Sequence, residues 1–379
     1  MMDTDVLVVG AGPTGLTLAA SLLSRGVDAT VVDRLAAGAN TSRAAAVNAR
    51  TLEVLEDLDV ARRMVKSGLI APRFTMRQAE RTLIPIDFSV LPTTYPYTLM
   101  ISQATTEALL VDRLTELGGE VARPKALTRL SQDRDGVTAT FDDGDTIRTC
   151  FVVGTDGAHS TVREQAGIGF AGGEYAESFA LADVRLSGAA PDDEVILFYS
   201  MTGLNVLAPL PGGIHRIVAP TIDAPEVPSV QFVQHMLDTR GFGPGRTVVT
   251  DLIWGSRFRI HHRVADTYRA GRLLLAGDAA HVHSPAGGQG MNLGIQDAVA
   301  LADALDDVLR GGSDAAFDAY SANRRPIARE VLATTGRLTR LATLPRAARP
   351  VRNGLMRLAA RVPAVRSGLA WRLSGLVYR

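Results

Sequence analysis

Two stretches of this sequence are rich in glycine, and they lie near opposite ends of the chain. The first is VVGAGPTGL at 8–16, in which Gly10, Gly12 and Gly15 have the spacing Gly-x-Gly-x-x-Gly. In such a triplet the first glycine permits a tight turn, the second lets the backbone approach a pyrophosphate, and the third lets the following helix pack on its strand. Asp33 ends the next apolar run, where its carboxylate can accept hydrogen bonds from a ribose diol. The pattern predicts a dinucleotide site, and FAD and NAD both fit it.

The second stretch is LAGDAAHVHSPAGGQGMNLGIQDA at 275–298. Asp278 follows an apolar run, so its carboxylate can bind a ribitol hydroxyl, and the glycines after it leave a backbone nearly free of side chains. A helix starting at about Gly290 would direct its positive end at a bound ring. A dinucleotide as long as FAD needs separate contacts at its two ends, which explains why one chain carries two such stretches.

A third segment, VVGTDGAHSTVR at 152–163, contains Asp156 and Gly157, with Arg163 six residues later. Taken alone, Asp-Gly is typical of a β-turn and the arginine is typical of a surface ion pair. Its position between the other two segments is what indicates a role at the same site.

In this order, the three segments resemble the signatures of the FAD-dependent aromatic hydroxylases, the class A flavoprotein monooxygenases typified by para-hydroxybenzoate hydroxylase and including polyketide-tailoring enzymes. The resemblance covers roughly residues 3–330. It implies bound FAD, transient docking of NADPH or NADH, and capture of O2 as a flavin C4a-hydroperoxide that hydroxylates a phenolic or polyketide-like aromatic substrate. Baeyer-Villiger-type oxygenation on the same fold and a non-catalytic flavin-binding accessory protein are the alternatives.

The resemblance also implies which residues bind the cofactor. Gln103 would touch the flavin nucleotide, Arg43 the pyrophosphate or the ring, and Leu127 would offer its backbone to adenine. Met291 and Asn292 would contact the ring where reduced flavin carries its charge. The complete predicted set is Gly10, Gly12, Pro13, Thr14, Gly15, Asp33, Arg34, Arg43, Gln103, Leu127, Asp156, Gly157, Arg163, Gly277, Asp278, Pro285, Gly287, Gly288, Gly290, Met291 and Asn292.

This chemistry needs no side-chain nucleophile, but it benefits from a base that makes a phenol more phenolate-like. The candidates for this catalytic role are Tyr199, His215 and His283, with Tyr97 as a further tyrosine. For each of them, an ordinary hydrogen-bonding role is the alternative. No metal site is predicted, because His281 and His283 alternate without an acid or thiol at ligand spacing.

The strands and helices that the sequence pattern predicts around these residues indicate an α/β fold. The opening segment reads as strand, glycine turn, helix and strand, which is typical of a parallel sheet, and a helix is expected over roughly 103–118. The fold class is therefore a Rossmann-like FAD-binding domain of the glutathione-reductase type, with an inserted antiparallel substrate sheet and a C-terminal helical tail. The predicted limits are 1–72, 99–172 and 263–330 for the FAD domain, 73–98 and 173–262 for the substrate domain, and 331–379 for the tail.

The formal net charge of zero hides an asymmetry. Residues 331–379 contain ten arginines and no Asp or Glu, so the first 330 residues carry a net charge of minus ten. We expect the leucines of this basic tail to pack on the acidic body and its arginines to form ion pairs; binding to an anionic membrane surface is the alternative. We expect a cytoplasmic monomer or homodimer with a small-molecule substrate, not associated with nucleic acid or membrane, and the single cysteine, Cys150, fits a reducing compartment.

Overall fold

The computed structural model describes residues 2–38, 44–221, 224–284 and 287–379. Strands and helices alternate at the start of the chain, strands dominate the middle, and helices form the end. The strands are β1 (Thr4–Val9), β2 (Ala29–Val32), β3 (Ala46–Val47), β4 (Leu69–Ala71), β5 (Arg73–Gln78), β6 (Arg81–Asp87), β7 (Thr98–Met100), β8 (Val121–Ala122), β9 (Leu127–Gln132), β10 (Val137–Phe141), β11 (Thr146–Gly154), β12 (Phe170–Gly188), β13 (Glu194–Tyr199), β14 (Leu204–Leu210), β15 (Ile214–Thr221), β16 (Thr247–Ala265), β17 (Arg269–Ala270), β18 (Leu273–Leu275) and β19 (His281–Val282).

The helices are α1 (Pro13–Ser24), α2 (Ala49–Val54), α3 (Val60–Ser67), α4 (Gln103–Glu116), α5 (Thr161–Gln165), α6 (Val230–Arg240), α7 (Gly290–Leu309), α8 (Ala315–Ala342), α9 (Arg349–Ala359) and α10 (Pro363–Leu373). Two of the helices, α1 and α7, follow the glycine-rich turns, and the end of α8 together with α9 and α10 forms the tail. The helix predicted over 103–118 is present as α4, and the helix predicted from Gly290 is present as α7. No helix in the described part of the chain is long and apolar enough to cross a membrane.

The nucleotide-binding sheet has a parallel centre in the order β18-β11-β1-β2-β8. Its central strand, β1, is almost continuously apolar, because it is covered on both faces. Val8 lies beside Val31 of β2 on one side and Val153 of β11 on the other. The carboxyl ends of β1, β11 and β18 therefore meet at one edge, and the three predicted cofactor motifs follow these three strands.

The second large sheet has the order β19-β16-β12-β15-β14-β13-β5-β6. Most neighbouring pairs are antiparallel as the alternating sequence predicts, but β5 and β13 are parallel. These two strands are far apart in sequence, so no hairpin forces them to be antiparallel. A third, three-stranded sheet (β3-β7-β4) was not predicted.

Both faces of the second sheet are covered. Side chains such as Ile196, Leu207 and Ile217 pack with α6 residues in a separate cluster, while Leu197 and Ala208 face the main core. Because successive side chains of a strand point to opposite faces, each residue of this sheet can be assigned to the α6 face or to the face that meets the nucleotide domain.

The tail begins inside a long helix rather than at a break. α8 runs through residue 331 and ends at Ala342, and Pro345 lies in the break that follows it. Pro350 and Pro363 lie in the first turns of α9 and α10, so they start these helices. Proline suits this position, since its missing N–H has no partner within the helix there.

Candidate functional site

The first glycine turn leaves no room for side chains at two of its three glycines. Gly10 has φ +106°, and a Cβ there would lie 2.5 Å from the carbonyl oxygen of Thr155. A Cβ at Gly15 would lie 2.0 Å from the carbonyl oxygen of Gly10. Gly12 differs, because a Cβ there would meet nothing within 4 Å. The turn is thus closed towards the protein and open at Gly12, where a pyrophosphate would approach.

The helix after this turn offers unpaired backbone donors. α1 begins at Pro13 with Gly12 as its N-cap, and no side chain caps it. The first N–H groups of a helix have no acceptor within it and lie at its positive end. Such an end can bind phosphate without any basic side chain.

Asp33 is positioned by both neighbouring segments. One of its carboxylate oxygens accepts the N–H of Ala11 at 2.7 Å and the other accepts the N–H of Leu35 at 2.8 Å. Its own carbonyl accepts the N–H of Lys125 at 2.8 Å, which brings the segment before Leu127 alongside. Each carboxylate oxygen keeps a further acceptor position for a ribose hydroxyl.

The second glycine stretch lies directly against the first. Gly277 has φ +61°, and a Cβ there would be 2.5 Å from the hydroxyl oxygen of Thr14. A Cβ at Gly294 of α7 would be 2.4 Å from the same oxygen. Asp278, one residue after Gly277, is exposed. The two stretches that are farthest apart in sequence are therefore packed together, with the Thr14 side chain directly against the backbone of Gly277 and Gly294.

The N terminus of α7 is fixed mainly by one amide. Asn292 accepts the N–H of Asn48 at 2.9 Å, and its Nδ2 donates to the carbonyls of Ala46 at 2.8 Å and Gly288 at 2.6 Å. Its side chain is thus fully engaged with protein, and its contact with a cofactor would come from the backbone. Gly287 and Gly288 before it are left-handed, with φ +88° and +64°.

The other predicted residues of this stretch lie at the start of α7. Gly290 and Met291 are its first two residues, and Met291 is partly buried against the core. Pro285 lies outside the described residues.

The third segment joins the other two. The buried carboxylate of Asp156 accepts the hydroxyl of Ser160 at 2.5 Å, and burial raises its pKa. Arg163 donates to the carbonyl of Ala158 at 2.8 Å and to the carbonyl of Ala279 at 2.9 Å, so it links this segment to the one after Gly277. Gly157, with φ +84°, has open space where a Cβ would lie.

A fourth contact closes the site from the side of α4. The Gln103 side-chain oxygen accepts the N–H of Ala44 at 3.2 Å, and its nitrogen donates to Glu107 at 2.8 Å. Arg43, the residue before Ala44, lies outside the described residues. Arg34 is exposed directly after Asp33.

The face of the second sheet that meets this site carries a buried ion pair. Arg216 donates through Nε and Nη2 to the two carboxylate oxygens of Asp183, both at 2.7 Å. Its Nη1 donates to the carbonyl of Ala44 at 3.1 Å, which shows that this face is turned towards the nucleotide domain. Phe179 shares the face with Asp183, and its ring centroid lies 5.7 Å from that of Phe258. An apolar, aromatic surface with one charged pair thus lies on the face that contacts the nucleotide domain at Ala44.

Comparison with known proteins agrees with this geometry. A family model described as an FAD binding domain matches residues 3–335. The chain belongs to this FAD-binding family. The family predicted from the sequence is therefore confirmed, together with the Rossmann-like α/β fold and FAD as the cofactor that the domain holds.

Among curated relatives, 6-methylpretetramide 4-monooxygenase of Streptomyces rimosus is 38% identical over 92% of this chain and 64% of its own length. The chain thus spans just under two thirds of that relative. Among solved structures, anhydrotetracycline hydroxylase of Streptomyces rimosus is 36% identical with a TM-score of 0.82, covering 98% of this chain and 76% of its own. The p-nitrophenol 4-monooxygenase of Pseudomonas putida DLL-E4 is 26% identical with a TM-score of 0.86, covering 99% of both chains.

The residues of this FAD-binding chain fit the cofactor. The opening at Gly12, the uncapped start of α1 and the exposed carboxylate of Asp278 are what a pyrophosphate and a ribitol chain require. These features lie along one continuous edge of the sheet. The assignment of individual cofactor contacts stays a prediction.

The three candidate bases lie in different surroundings. Tyr199 is fully buried beside the tail, where Arg352 lies 5.1 Å from its ring, and burial raises its pKa to about 12. His215 shares a face with Ile217 and therefore points towards α6, with Nε2 3.2 Å from the carbonyl of Pro191. Strand alternation thus turns His215 away from the nucleotide domain, whereas Tyr199 shares the face of Leu197, which packs in the main core, and is covered there by the tail.

His283 is the candidate that lies at the cofactor edge. Its Nδ1 is 2.8 Å from the carbonyl of Ser284, so Nδ1 carries the proton and Nε2 keeps a lone pair. Burial lowers its pKa to about 4, which leaves the ring neutral at pH 7. Nε2 has no partner within the described ranges and lies 3.8 Å from a Cβ built on Gly290.

A neighbouring histidine has a structural role. His281 Nε2 lies 2.5 Å from one oxygen of the buried Asp297, and Arg324 donates to the other at 2.6 Å. Although burial alone would raise it, the pKa of Asp297 is lowered by these two partners. The group ties β19 to α7 and α8. Among the described residues, His, Cys, Asp and Glu side chains form no group of three that could hold a metal ion.

Sequence reasoning missed several residues that hold the site together. Thr155 donates to the carbonyls of Val9 and Gly10, at 2.9 Å and 2.8 Å, and fixes the first turn. Asn48 could have been found as an N-cap, since asparagine directly precedes a helix there. The Arg216–Asp183 pair also left a signal, because both charges interrupt otherwise apolar strands.

Proposed function

We propose that this protein is an FAD-dependent monooxygenase that uses a nicotinamide dinucleotide and O2 to hydroxylate a phenolic or polyketide-like aromatic substrate. Family membership supports this proposal, as do the names of relatives that act on 6-methylpretetramide, anhydrotetracycline and p-nitrophenol. The observation that carries it is the convergence of three cofactor motifs on one sheet edge, opposite an aromatic face.

When bound, FAD supplies the electron transfer and the activation of oxygen, and the chain supplies position and charge. The start of α1 would hold the pyrophosphate and Asp33 the ribose. The start of α7 would face the flavin ring, where its positive end favours the negative charge of the reduced state. No acidic side chain lies in the first turn of α7 to oppose that charge.

We assign to His283 the role of hydrogen-bond acceptor for the substrate hydroxyl. Its neutral ring presents the Nε2 lone pair at the start of α7, where it can accept the hydrogen bond of a substrate hydroxyl. A hydroxyl that donates in this way places more electron density on its ring, which favours attack on an electrophilic oxygen. With a pKa of about 4, the ring would accept this hydrogen bond without taking the proton, so the hydroxyl keeps its proton while it is held at Nε2.

The substrate would lie against the face of the second sheet that carries Phe179, Phe258 and the Arg216–Asp183 pair. Aromatic side chains suit a flat ring system through offset or edge contacts. Arg216 of the ion pair joins this face to the loop at Ala44, so the substrate and cofactor surfaces would keep a fixed position relative to each other.

The test is direct. Purified protein should show flavin absorption bands or gain them when FAD is added, and NADPH or NADH should be consumed faster with substrates from a panel of phenols and polycyclic quinones. The product should contain one additional oxygen atom derived from labelled O2. A colourless protein that does not take up FAD would overturn the cofactor assignment, and a flavoprotein whose nicotinamide oxidation never responds to an aromatic compound would overturn the substrate class.

We further propose that the protein works as a cytoplasmic monomer or homodimer and that its functional units follow the limits 1–72, 99–172 and 263–330, 73–98 and 173–262, and 331–379. The division of strands between the two large sheets supports these limits except at β19, which lies within 263–330 but pairs with β16 of the second sheet. Light scattering of the purified holoenzyme measures the oligomeric state.

A further inference from the structure

The helix α9 is anchored to the body of the protein along one face. Arg352 is buried and donates to the carbonyls of Leu341 at 3.0 Å and Tyr199 at 3.1 Å. Asn353 donates to Gln78 at 2.8 Å and to the carbonyl of Tyr199 at 3.1 Å. These contacts fix the rotation of α9 about its own axis, and so they decide which side chains face outwards.

The outward face of α9 is apolar. Val351, Leu355 and Leu358 are spaced by four and three residues, which places them in one line along α9, and Val362 follows in the turn before α10; the four side chains are 64%, 61%, 59% and 49% exposed. We call these four residues the apolar ridge. Beside it runs an open apolar groove of about 370 Å³ between the end of α8 and α9. Leucines on an ordinary tail helix would be buried, yet here the polar side chains Arg352 and Asn353 are buried instead.

Arginines surround the apolar ridge. Arg346, Arg357, Arg361 and Arg366 are exposed, and none has an ion-pair partner within the part of the chain that the structure describes. The pairs that the tail does form lie elsewhere, at Arg372 with Glu330 and at Arg379 with Glu53. The segment 331–379 contains no Asp or Glu that could neutralise the four free arginines.

A second copy of this chain does not suit this surface. A symmetric pair of apolar ridges would bring eight unpaired arginines together with no acid from either segment, and like charges in contact are costly. The charge of the surface formed by the apolar ridge and its arginines therefore favours an anionic binding partner.

We propose that the apolar ridge and its arginines dock the protein peripherally on an anionic lipid bilayer. An apolar line flanked by arginines is the pattern of helices that lie in the plane of a membrane interface, with the apolar side chains among the acyl chains. Lipid phosphates can meet arginines at any position along three helical segments, whereas a protein partner would need acids at matching places. This inference revises the expectation that the whole tail packs on the body, because only one face of α9 does so.

The test uses the full chain with its flavin and sedimentation with lipid vesicles. The protein should co-sediment with vesicles of phosphatidylcholine that contain one quarter phosphatidylglycerol. Vesicles of pure phosphatidylcholine should bind at least tenfold less protein, and raised salt should weaken binding to the anionic vesicles. Leu355→Glu combined with Leu358→Glu should reduce binding at least tenfold. Arg357→Gln combined with Arg361→Gln should reduce it severalfold on the anionic vesicles.

Val90→Glu combined with Val227→Glu is the matched control, because these side chains are 70% and 69% exposed elsewhere on the molecule. This pair should leave vesicle binding unchanged, and circular dichroism should show equal melting temperatures for all variants. Absence of binding to anionic vesicles, or equal loss in the control pair, would overturn the proposal. A dimer that Leu355→Glu dissociates would also overturn it and assign the apolar ridge to a second copy. Vesicle binding is independent of turnover, so it tests this inference separately from the proposed activity.

Discussion

Gly12 and Gly15 lie in the same turn, but a methyl group at each would meet different surroundings. Gly15→Ala places a Cβ 2.0 Å from the carbonyl oxygen of Gly10, so we expect it to destabilise the protein by about 1–3 kcal/mol with or without FAD. Gly12→Ala meets no protein atom within 4 Å, so the apoprotein should melt as the wild type does while FAD binds about tenfold more weakly. Thermal melting and flavin titration measure the two effects.

Gly354→Ala in α9 is the control, since its Cβ would also meet nothing within 4 Å and lies far from the turn. It should leave the affinity for FAD unchanged and raise the melting temperature slightly, because alanine in a helix is more favourable than glycine by up to about 1 kcal/mol. Equal FAD affinity in Gly12→Ala and wild type would show that the pyrophosphate does not approach at Gly12.

The pKa of His283 makes a prediction about acid stability. Burial lowers this pKa to about 4 from an ordinary value of 6.5. Because the folded state binds the proton less well than the unfolded state, the contribution is present above pH 6.5 and is lost as the pH falls towards 4. Linkage makes this loss on the order of 3 kcal/mol. Urea unfolding at pH 7 and pH 4.5 should show a smaller loss of stability in His283→Asn than in wild type, and equal losses would contradict the low pKa.

Breaking the buried Arg216–Asp183 pair should lower folding stability more than breaking an exposed ion pair. Asp183→Asn leaves a buried guanidinium without its anion, which costs about 3 kcal/mol of folding stability when a buried pair is broken. Because the pair also fixes Ala44, we expect a raised KM for the aromatic substrate. Asp193→Asn removes the partner of Arg73 in an exposed pair and should change stability by less than about 1 kcal/mol. Similar effects of the two substitutions would show that the buried pair is not special.

At the scale of elements, the site depends on how α7 is joined to the segment around Asn48. Asn292→Ala removes hydrogen bonds to the N–H of Asn48 and to the carbonyls of Ala46 and Gly288. With these buried groups left unpaired, we expect a loss of about 2–4 kcal/mol and a faster release of FAD. The measurements are thermal melting and the rate at which flavin fluorescence rises on dilution.

Asn353→Ala serves as the comparison, because it removes a buried amide of α9 that contacts Tyr199 and Gln78 instead. It should lower stability without changing the release of FAD. If both substitutions released FAD equally fast, general loosening of the fold would explain the effect of Asn292→Ala.

At the scale of the whole molecule, the tail packs against the second sheet and provides hydrogen-bond donors to it. Arg352 and Asn353 donate to the carbonyl at the end of β13, and α10 packs against β6. A chain that ends after Thr335 would leave this carbonyl and the apolar side chains around it exposed. We expect insoluble expression or a melting temperature lower by at least about 5 °C, as expected when several kcal/mol are lost.

Arg366→Gln, which changes an exposed tail arginine without a described partner, should melt like the wild type. Unchanged expression, melting temperature and flavin content in the shortened chain would contradict a packing role for the tail.

Much of the fold could be predicted from local pattern. The strand, glycine turn and helix at residues 4–24 are visible because close backbone packing tolerates only glycine at Gly10 and Gly15, and the strand is apolar on both faces. The helices at Gln103 and Gly290 were visible for similar reasons. The third sheet was not, since its strands are only two or three residues long and carry no periodic pattern.

The site was predictable as a set of motifs but not as an arrangement. The sequence by itself determined the family, the cofactor and the glycine positions, because these depend on residue types at short spacing. Only the tertiary structure decided that Thr14 meets Gly277, that His215 points towards α6, and that Arg216 reaches Ala44. The physical reason is that short-range pattern fixes local conformation, whereas the register between distant strands and the rotation of a packed helix are set by contacts summed over the whole chain.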